Sequence, residues 1–335
     1  MSDKIKIGID AMGGENSPKK VIDGIDISIK NNNNNFFYLY GDEEKIKKLI
    51  SNKKSIIKNC EIINTRDSIS DDESPLAAAK RGKESSMWKA IESQKNNETD
   101  ISLSAGNTGA LLVMSRLILK TIEGIDKPAL AALWPNKKNM NVVLDLGANI
   151  ECNEKNLSDF ACMGSALFKS LFPNDESKVA LLNVGLEEHK GKDYLKKAFN
   201  ILKNHKNKNF IFDGYVEGNH IMDGNINVII TDGFTGNVAL KTAEGTANFI
   251  TKEIKNNVTS GLMGKFFSLI NYKNLMKFKK RLDPRQYNGA ILIGLNSPVV
   301  KSHGSTDYIG FSNSLNVCKK IVEGDLINKI KKNIN

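Results

Sequence analysis

Residues 101–112 read ISLSAGNTGALL, and this stretch decides the fold because an apolar strand pattern passes through a turn directly into an apolar helix pattern. A strand pattern followed by a turn of Gly, Asn or Asp recurs at residues 5–14, 142–149 and 228–237. Strand patterns that alternate with helix patterns are typical of βαβ units and a parallel sheet. The sequence therefore predicts an α/β protein in which one kind of turn closes several strands.

These turns also indicate where a ligand binds. In an open parallel sheet, ligands bind at the edge beyond the carboxyl ends of the strands. Helix N-termini at that edge present free N–H groups and a partial positive charge. We therefore expect Gly106, Asp145, Lys190, Gly233 and His303 to line one crevice that suits an anion such as phosphate.

The strand and helix patterns cover most of the chain. Strands are expected near residues 4–10, 36–41, 60–64, 100–104, 129–134, 141–146, 178–184, 209–213, 226–231 and 290–294. Helices are expected near residues 17–30, 43–51, 75–95, 107–121, 155–172, 191–204, 235–257 and 307–331. The polar segment 67–74 is predicted to be a loop over the mouth of the crevice.

The composition is that of an ordinary globular protein. Apolar residues make up 40% and charged residues 26% of 335 residues, and we expect a single domain over residues 1–335. No apolar run approaches the roughly 18 residues of a membrane-spanning helix, and no signal-peptide pattern precedes the first strand, so we expect a cytoplasmic protein. The four cysteines and four histidines show no ligand spacing, which predicts reduced thiols, no metal and no cofactor.

The turn in ISLSAGNTGALL is the strongest candidate site. Gly106 and Gly109 let the backbone approach a ligand, and Ser104, Asn107 and Thr108 offer side-chain donors near a helix start. The alternative is an ordinary N-cap, but a cap needs only one such polar residue.

Four other strand ends carry candidate residues. Asp145 ends a hydrophobic strand, where a carboxylate has to be hydrogen-bonded or face the crevice, and an Asx-turn is the alternative. Lys190 follows Glu188 in a charged loop and suits a phosphate, with a merely solvated loop as the alternative. Asp232 opens the turn DGFTGN and His303 precedes a Gly at a strand end; a plain turn and a structural histidine are the alternatives.

A basic segment of a different kind lies at residues 261–285, which hold seven basic residues and one acidic residue. Leu262, Phe266 and Ile270 recur at helical spacing. Apolar helix faces with a basic flank are typical of a hairpin on an anionic membrane, where each basic residue adds roughly 1 kcal/mol. A dimer-interface hairpin is the alternative, and no nucleic-acid-binding motif is present. For a hairpin over residues 258–284, the expected membrane or partner contacts are Phe266, Phe267, Lys277, Lys279, Lys280 and Arg281.

Taken together, these motifs resemble the bacterial phosphate acyltransferase family of phospholipid synthesis, the acyl-carrier-protein:phosphate acyltransferases. The resemblance covers nearly the whole chain, and the order and number of the motifs make it specific. The motifs are IDAMGG at 9–14, SAGNTGALL at 104–112, KPALAAL at 127–133, VLDLGAN at 143–149, NVGLEEHKG at 183–191, DGFTGNVALKT at 232–242, KKRLD at 279–283 and HGSTD at 303–307. The chain departs from the family pattern at Glu15, Leu186 and His189, which leaves individual roles around Lys190 open.

The resemblance implies a three-layer α/β/α fold with a mostly parallel sheet, related to the isocitrate/isopropylmalate dehydrogenases and to phosphotransacetylase. It implies a homodimer in peripheral contact with an anionic membrane at the inner face of the cell membrane. The implied reaction takes an acyl carrier protein thioester and inorganic phosphate to acyl phosphate and free carrier protein. A membrane glycerol-3-phosphate acyltransferase would then use the acyl phosphate.

The chemistry of this reaction needs little covalent help. Phosphate is a nucleophile at neutral pH and a thiolate leaves readily, so the protein mainly positions two substrates and stabilises an oxyanion. We expect direct attack, with phosphate held by the turns at residues 106–108 and 233–237. The expected catalytic residues are Lys190, His303, Asn107, Asp232 and Asn237. The expected phosphate-binding or substrate-binding residues are Asp10, Gly13, Gly14, Ser104, Gly106, Thr108, Asp145, Asn149, Glu188, Gly233, Gly236 and Gly304.

Three other functions are considered from the sequence, and two of them stay open. A phosphotransacetylase-like enzyme would use coenzyme A thioesters, and a non-catalytic membrane scaffold would keep only the fold. An NAD-linked decarboxylating dehydrogenase is disfavoured, because no GxGxxG follows the first strand and no aspartates cluster at metal-binding spacing.

Overall fold

The computed structural model describes residues 4–31, 34–205, 209–258 and 271–334. The strands are β1 (Ile5–Asp10), β2 (Asn35–Gly41), β3 (Cys60–Asn64), β4 (Ile101–Ser104), β5 (Ala129–Pro135), β6 (Met140–Leu144), β7 (Lys178–Asn183), β8 (Ile211–Glu217), β9 (Val228–Ile230), β10 (Ala290–Ile293) and β11 (Val299–Lys301). The helices are α1 (Lys19–Lys30), α2 (Glu43–Ile50), α3 (Lys54–Ile57), α4 (Pro75–Arg81), α5 (Ser86–Lys95), α6 (Thr108–Leu119), α7 (Glu154–Leu171), α8 (Asp193–Lys203), α9 (Gly233–Val258), α10 (Tyr272–Leu282), α11 (Tyr308–Glu323) and α12 (Leu326–Ile334).

All the described strands form one sheet in the order β3-β2-β1-β4-β11-β10-β5-β6-β9-β7-β8. Most neighbours are parallel, but β10 is antiparallel to both β11 and β5, and β5 is antiparallel to β6. The sheet therefore has a parallel group of β3, β2, β1, β4 and β11 and a parallel group of β6, β9, β7 and β8 that runs the opposite way, with β10 and β5 alternating in direction between them. The expected α/β fold with a mostly parallel sheet is confirmed.

The reversal changes where the strand-end turns lie. The turns after β1, β4 and β11 lie at one edge of the sheet, called the first edge here. The turns after β6, β9 and β7 lie at the opposite, second edge. The expectation that all these turns share one edge is therefore wrong. The cause is the short turn at residues 136–139, which reverses the chain between β5 and β6.

Helices cover both faces of the sheet and form two apolar clusters, one on each face. Successive strand residues point to opposite faces, so Val142 and Leu144 belong to the cluster under α1, α7 and α11, whereas Val143 belongs to the other. On that other face, α5, α6 and part of α9 supply the apolar side chains. Asp10 and Ser104 end neighbouring strands there, and Asp10 accepts hydrogen bonds from Ser104 and from Ser86 at the start of α5.

Two expected helices are interrupted. The helix expected at 75–95 is α4 and α5, separated by a 3-10 turn, because the Ser85 hydroxyl accepts a hydrogen bond from the Trp88 N–H and starts a new helix. The helix expected at 307–331 is α11 and α12, separated at Gly324 and at Asp325, whose φ is +50°. The loop expected at 67–74 is confirmed.

Only part of the expected hairpin at 258–284 can be described. Phe266 and Phe267, and the side chains of Lys279 and Lys280, lie outside the described residues. In α10 the Arg281 guanidinium donates to the carbonyls of Asn136 (3.0 Å) and Lys137 (3.3 Å), so it holds the helix against the β5–β6 turn. Among the described helices, none combines the length and apolarity needed to cross a membrane.

Candidate active site

Three glycine-rich loops meet at the first edge. A Cβ added to Gly13 would lie 2.6 Å from the Gly106 nitrogen, and one added to Gly14 would lie 2.9 Å from the Gly304 oxygen. Gly14 also has a φ of +76°, which other residues rarely adopt. The loops after β1, β4 and β11 therefore approach one another as closely as backbone allows, and they bring together four of the glycines that are predicted to bind phosphate.

Asp10 organises this convergence. Its Oδ1 accepts from the Ser86 hydroxyl (2.6 Å) and the Met12 N–H (3.2 Å), and its Oδ2 accepts from the Ser104 hydroxyl (2.7 Å). Ser104 in turn accepts from the Gly106 N–H at 3.0 Å. Burial raises the pKa of Asp10, and these hydrogen bonds offset part of that shift. Asp10 and Ser104 thus hold loops together rather than face a ligand.

Two buried lysines below these loops were missed by the sequence reasoning. The Lys20 ammonium donates to the Gly304 carbonyl (2.5 Å), and the Lys301 ammonium donates to the carbonyls of Ser302 (2.5 Å) and Ala105 (3.3 Å). Burial lowers the pKa of both, to about 8 for Lys301. The sequence does hold a signal for Lys301. Like Asp145, it is a charged residue at the end of a hydrophobic strand, where its side chain has to be hydrogen-bonded or face the crevice.

Asn107 has a structural task. Its Oδ1 caps α6 by accepting from the Ala110 N–H at 3.0 Å. Its Nδ2 donates to the carbonyls of Asp71 and Glu73, both at 2.9 Å. Asn107 therefore ties the 67–74 loop to α6, and its amide hydrogens are not available to an oxyanion in this structure. The neighbouring Thr108 is exposed, and its hydroxyl has no partner among the described residues.

His303 lies in the loop that follows β11. Its backbone N–H donates to the Asn288 side-chain oxygen at 2.9 Å, and its Nδ1 is 3.0 Å from the Ser305 hydroxyl. Partial burial and the neighbouring Lys301 ammonium lower the pKa of the imidazole. His303 is therefore a neutral side chain at pH 7, and its Nε2 has no partner in the described part of the chain.

Asp145 is the centre of the second edge. Its Oδ1 accepts from the N–H groups of Leu130 and Ala148, both at 3.0 Å. Its Oδ2 accepts from the backbone N–H (2.7 Å) and the side-chain amide (2.8 Å) of Asn149. The carboxyl is fully buried, and burial raises its pKa. Asp145 and Asn149 therefore join β5, β6 and the following turn, and the substrate contacts expected for them find no support in their hydrogen bonds.

The α9 N-terminus packs directly on this network. The Gly233 N–H donates to the Asn149 carbonyl at 2.8 Å, and a Cβ on Gly236 would lie 1.9 Å from the Asp145 carbonyl oxygen. Asp232 accepts from the Thr235 N–H, the Thr235 hydroxyl and the Tyr194 hydroxyl, all within 2.9 Å. The glycines are thus needed for backbone approach, and Asp232 fixes the start of α9.

Asn237 and Lys190 are exposed polar side chains at this edge. The Asn237 amide has no hydrogen-bond partner among the described residues. The Lys190 ammonium lies 3.3 Å from Glu187, whereas Glu188 pairs with Lys203 at 2.7 Å. Of the two glutamates that could orient Lys190, Glu187 pairs with it, whereas Glu188 pairs with Lys203 instead.

Exposed apolar side chains also follow the strands that end at this edge. Val184 is 78% exposed and Phe234 is 59% exposed, although both are large hydrophobic residues. Ile150, Leu186 and Val238 are also exposed and follow β6, β7 and β9 at the same edge. Clustered exposed apolar residues mark a surface that binds a partner or ligand.

Helix α9 connects the two edges. Lys241 and Glu244 lie close enough to His303 to act on the pKa of its imidazole. The rise from Gly233 to Glu244 is about 16 Å at 1.5 Å per residue, so α9 runs from the second edge back toward the first. The structure thus separates Gly106, Gly304 and His303 from Asp145, Lys190, Gly233 and Asn237, and α9 lies between the groups.

The chain has an α/β/α fold with a mostly parallel sheet, and solved phosphotransacetylases share this fold. It superimposes on a phosphotransacetylase from Streptococcus pyogenes with a TM-score of 0.66, 16% identity, and coverage of 98% of this chain and 95% of that one. The EutD phosphotransacetylase from Staphylococcus aureus gives a TM-score of 0.64 at 17% identity, covering 96% and 94%. At such identities the likeness concerns the fold alone.

Sequence comparison is more specific. The family model described as fatty acid synthesis protein matches residues 5–329. The chain is 62% identical over the full length of both sequences to a phosphate acyltransferase from Pelagibacter ubique, and 42% identical to one from Rhodospirillum rubrum, covering all of this chain and 95% of that one. The chain belongs to the phosphate acyltransferase family, and the predicted family is confirmed.

Proposed function

We propose that this protein transfers a fatty acyl group from an acyl carrier protein thioester to inorganic phosphate. The observation that carries the proposal is the convergence of the Gly13–Gly14, Gly106 and Gly304 loops beside His303. Glycine loops at a helix N-terminus suit a small tetrahedral anion. The exposed apolar residues of the second edge suit an aliphatic acyl group.

The step balances without a covalent enzyme intermediate. An oxygen of hydrogen phosphate attacks the thioester carbonyl, the C–S bond breaks, and the phosphate proton ends on the thiolate. One phosphate cannot lie against turns at opposite edges, so we assign phosphate to the first edge and the acyl donor to the exposed side of α9. In this assignment the His303 Nε2–H donates to the developing oxyanion, and Lys190 and Asn237 bind polar groups of the donor.

Asp145 and Asp232 act indirectly in this assignment. Asp145 fixes the turn on which the α9 N-terminus rests, and Asp232 caps that helix. Asn107 holds the 67–74 loop beside the phosphate. In this assignment Asn107 positions a loop and does not donate to the oxyanion as predicted. The 233–237 turn likewise positions α9 and does not contact phosphate.

The decisive experiment measures loss of the acyl carrier protein thioester with and without phosphate, together with acyl phosphate formed. Phosphate-dependent loss supports the proposal, and a matched arm with coenzyme A thioesters tests the phosphotransacetylase-like alternative. If only coenzyme A thioesters were turned over, the acyl donor would be coenzyme A and not the carrier protein. No acyl phosphate from either donor would leave only the scaffold hypothesis.

Binding of the acidic carrier protein is expected to weaken with salt, because the chain carries a net charge of +10. Raising ionic strength from about 0.05 M to about 0.5 M shortens the screening length severalfold. The KM for the carrier protein thioester should therefore rise severalfold, while the KM for a neutral short thioester stays constant. Equal salt responses of the two donors would contradict electrostatic docking.

We further propose a homodimer that touches the inner membrane face and passes acyl phosphate to a membrane glycerol-3-phosphate acyltransferase for phosphatidic acid synthesis. Exposed Tyr272, Met276 and Phe278 on α10, with the exposed Lys277 between them, support contact with an anionic surface. Flotation tests this contact: more protein should float with vesicles of anionic lipid than with vesicles of neutral lipid. Equal amounts of protein floating with both kinds of vesicle would contradict it.

A further inference from the structure

The two lysines below the first edge are unusual for buried cations. Lys20 is 4% exposed and Lys301 is 8% exposed. Among the described residues, no carboxylate oxygen lies within 4.0 Å of either ammonium group. The surrounding acceptors are backbone carbonyls of Ala105, Ser302 and Gly304, which are neutral.

The nearby acidic groups do not supply the missing counter-charge. Asp10 accepts hydrogen bonds from two serine hydroxyls and a backbone N–H, and Asp71 acts on both lysines only through space. An ammonium group has three N–H donors. Lys20 uses one and Lys301 uses two in the contacts described above, so three donors stay available between them. A buried charge is costly unless an opposite charge pairs with it.

The Gly14 loop lies directly over the Lys20 ammonium and over the Ala105 carbonyl that accepts from the Lys301 ammonium. A Cβ on Gly14 would lie 2.7 Å from the Lys20 Nζ and 2.9 Å from the Gly304 oxygen. Any side chain at this position would therefore cover the ammonium, whereas glycine leaves the approach open. A small anion above Gly14 reaches the charge, and a bulky one does not.

We propose that Lys20 and Lys301 together form the floor of the phosphate subsite and bind one phosphate dianion between the Gly14 and Gly304 loops. This inference rests on the proposed function and assigns its phosphate to this pair rather than to Lys190. The two positive charges match the dianion, and the remaining N–H donors face its oxygens.

The kinetic test replaces each lysine by a neutral side chain of similar length. Lys20→Met and Lys301→Met should each raise the KM for phosphate about tenfold or more, the effect of losing one charged hydrogen bond. The KM for the acyl thioester should stay within about twofold of the parent value. Lys19→Met is the matched control on the same helix, because Lys19 is 73% exposed and pairs with Asp23.

An unchanged phosphate KM in both variants, with a raised one in Lys190→Met, would move the subsite to the second edge and overturn the inference. If the variants do not fold, crystals of the unchanged protein soaked in tungstate decide the question. The anomalous peak should lie within about 4 Å of both ammonium nitrogens, as N–H···O bonds of about 2.8 Å require. No peak at the pair would overturn the inference.

The proposed function can fail separately from this inference. Phosphate-dependent thioester loss by the unchanged protein tests the function, whereas the two substitutions and the tungstate position test the subsite. Full activity with an unaltered phosphate KM in the variants leaves the function standing and removes the subsite.

Discussion

His303→Ala is expected to lower kcat for acyl phosphate formation roughly 10²-fold to 10³-fold, the loss seen when one oxyanion donor is removed. The KM values should change little, because the oxyanion exists only in the transition state. Steady-state kinetics at saturating phosphate and thioester measure both quantities.

The hydrogen bonds around the imidazole support this role. The Ser305 hydroxyl lies 3.0 Å from Nδ1, and the Asn288 side chain fixes the backbone N–H of His303. When Ser305 donates to Nδ1, the ring proton is on Nε2, which then faces substrate as a donor. The lowered pKa keeps the ring neutral at pH 7, so this tautomer needs no counter-ion. Ser305→Ala should therefore lower kcat less than His303→Ala does.

His220→Ala is the matched control. His220 is an exposed histidine whose Nδ1 pairs with Asp223 at 2.7 Å, and it follows β8 at the far end of the sheet order. Its loss should leave kcat unchanged. A His303→Ala enzyme within a few-fold of the parent would remove His303 from the catalytic group, and the same result for Lys190→Ala would end the assignment of roles.

The fold was largely predictable because strand-turn-helix succession is a local pattern. The sequence predicts β4, its turn and α6 within a few residues, since ISLS is apolar enough for a buried strand and Asn107 caps the helix. Strand direction is not a local property. The reversal depends on the turn at residues 136–139, where Asn136 Oδ1 accepts from two backbone N–H groups. The apolar pattern of β5 and β6 does not give their direction, but a connection of so few residues is too short for a parallel crossover, so its length was a signal for the hairpin.

The candidate site was predictable only in part, for a related reason. Glycines that approach one another have a sequence signal, and Gly14, Gly106 and Gly304 do meet. For a polar residue beside these glycines, however, the sequence does not show which group its side chain will bind. Asp145 and Asn107 are bound by the protein's own groups, whereas Lys301 has no counter-charge within hydrogen-bond reach among the described residues. The balance of donors and acceptors is a property of the folded structure.

Gly236→Ala is expected to destabilise the protein by about 3 kcal/mol, the cost of severe overpacking. The added Cβ would lie 1.9 Å from the Asp145 carbonyl oxygen, and backbone cannot move away as a flexible side chain can. The α9 N-terminus would have to shift, and with it the Asp232 cap and Asn237. Denaturant unfolding followed by circular dichroism measures the loss.

Gly245→Ala in the same helix is the matched control, because in the described part of the chain only the helix's own backbone lies within 4 Å of a Cβ at this exposed position. Alanine there should stabilise the protein by about 0.5–1 kcal/mol, since glycine is the poorer helix former. The two variants make the same chemical change nine residues apart and should move the unfolding midpoint in opposite directions. If both raise it, α9 does not rest on the Asp145 turn, and the proposed path of this helix between the two edges loses its anchor.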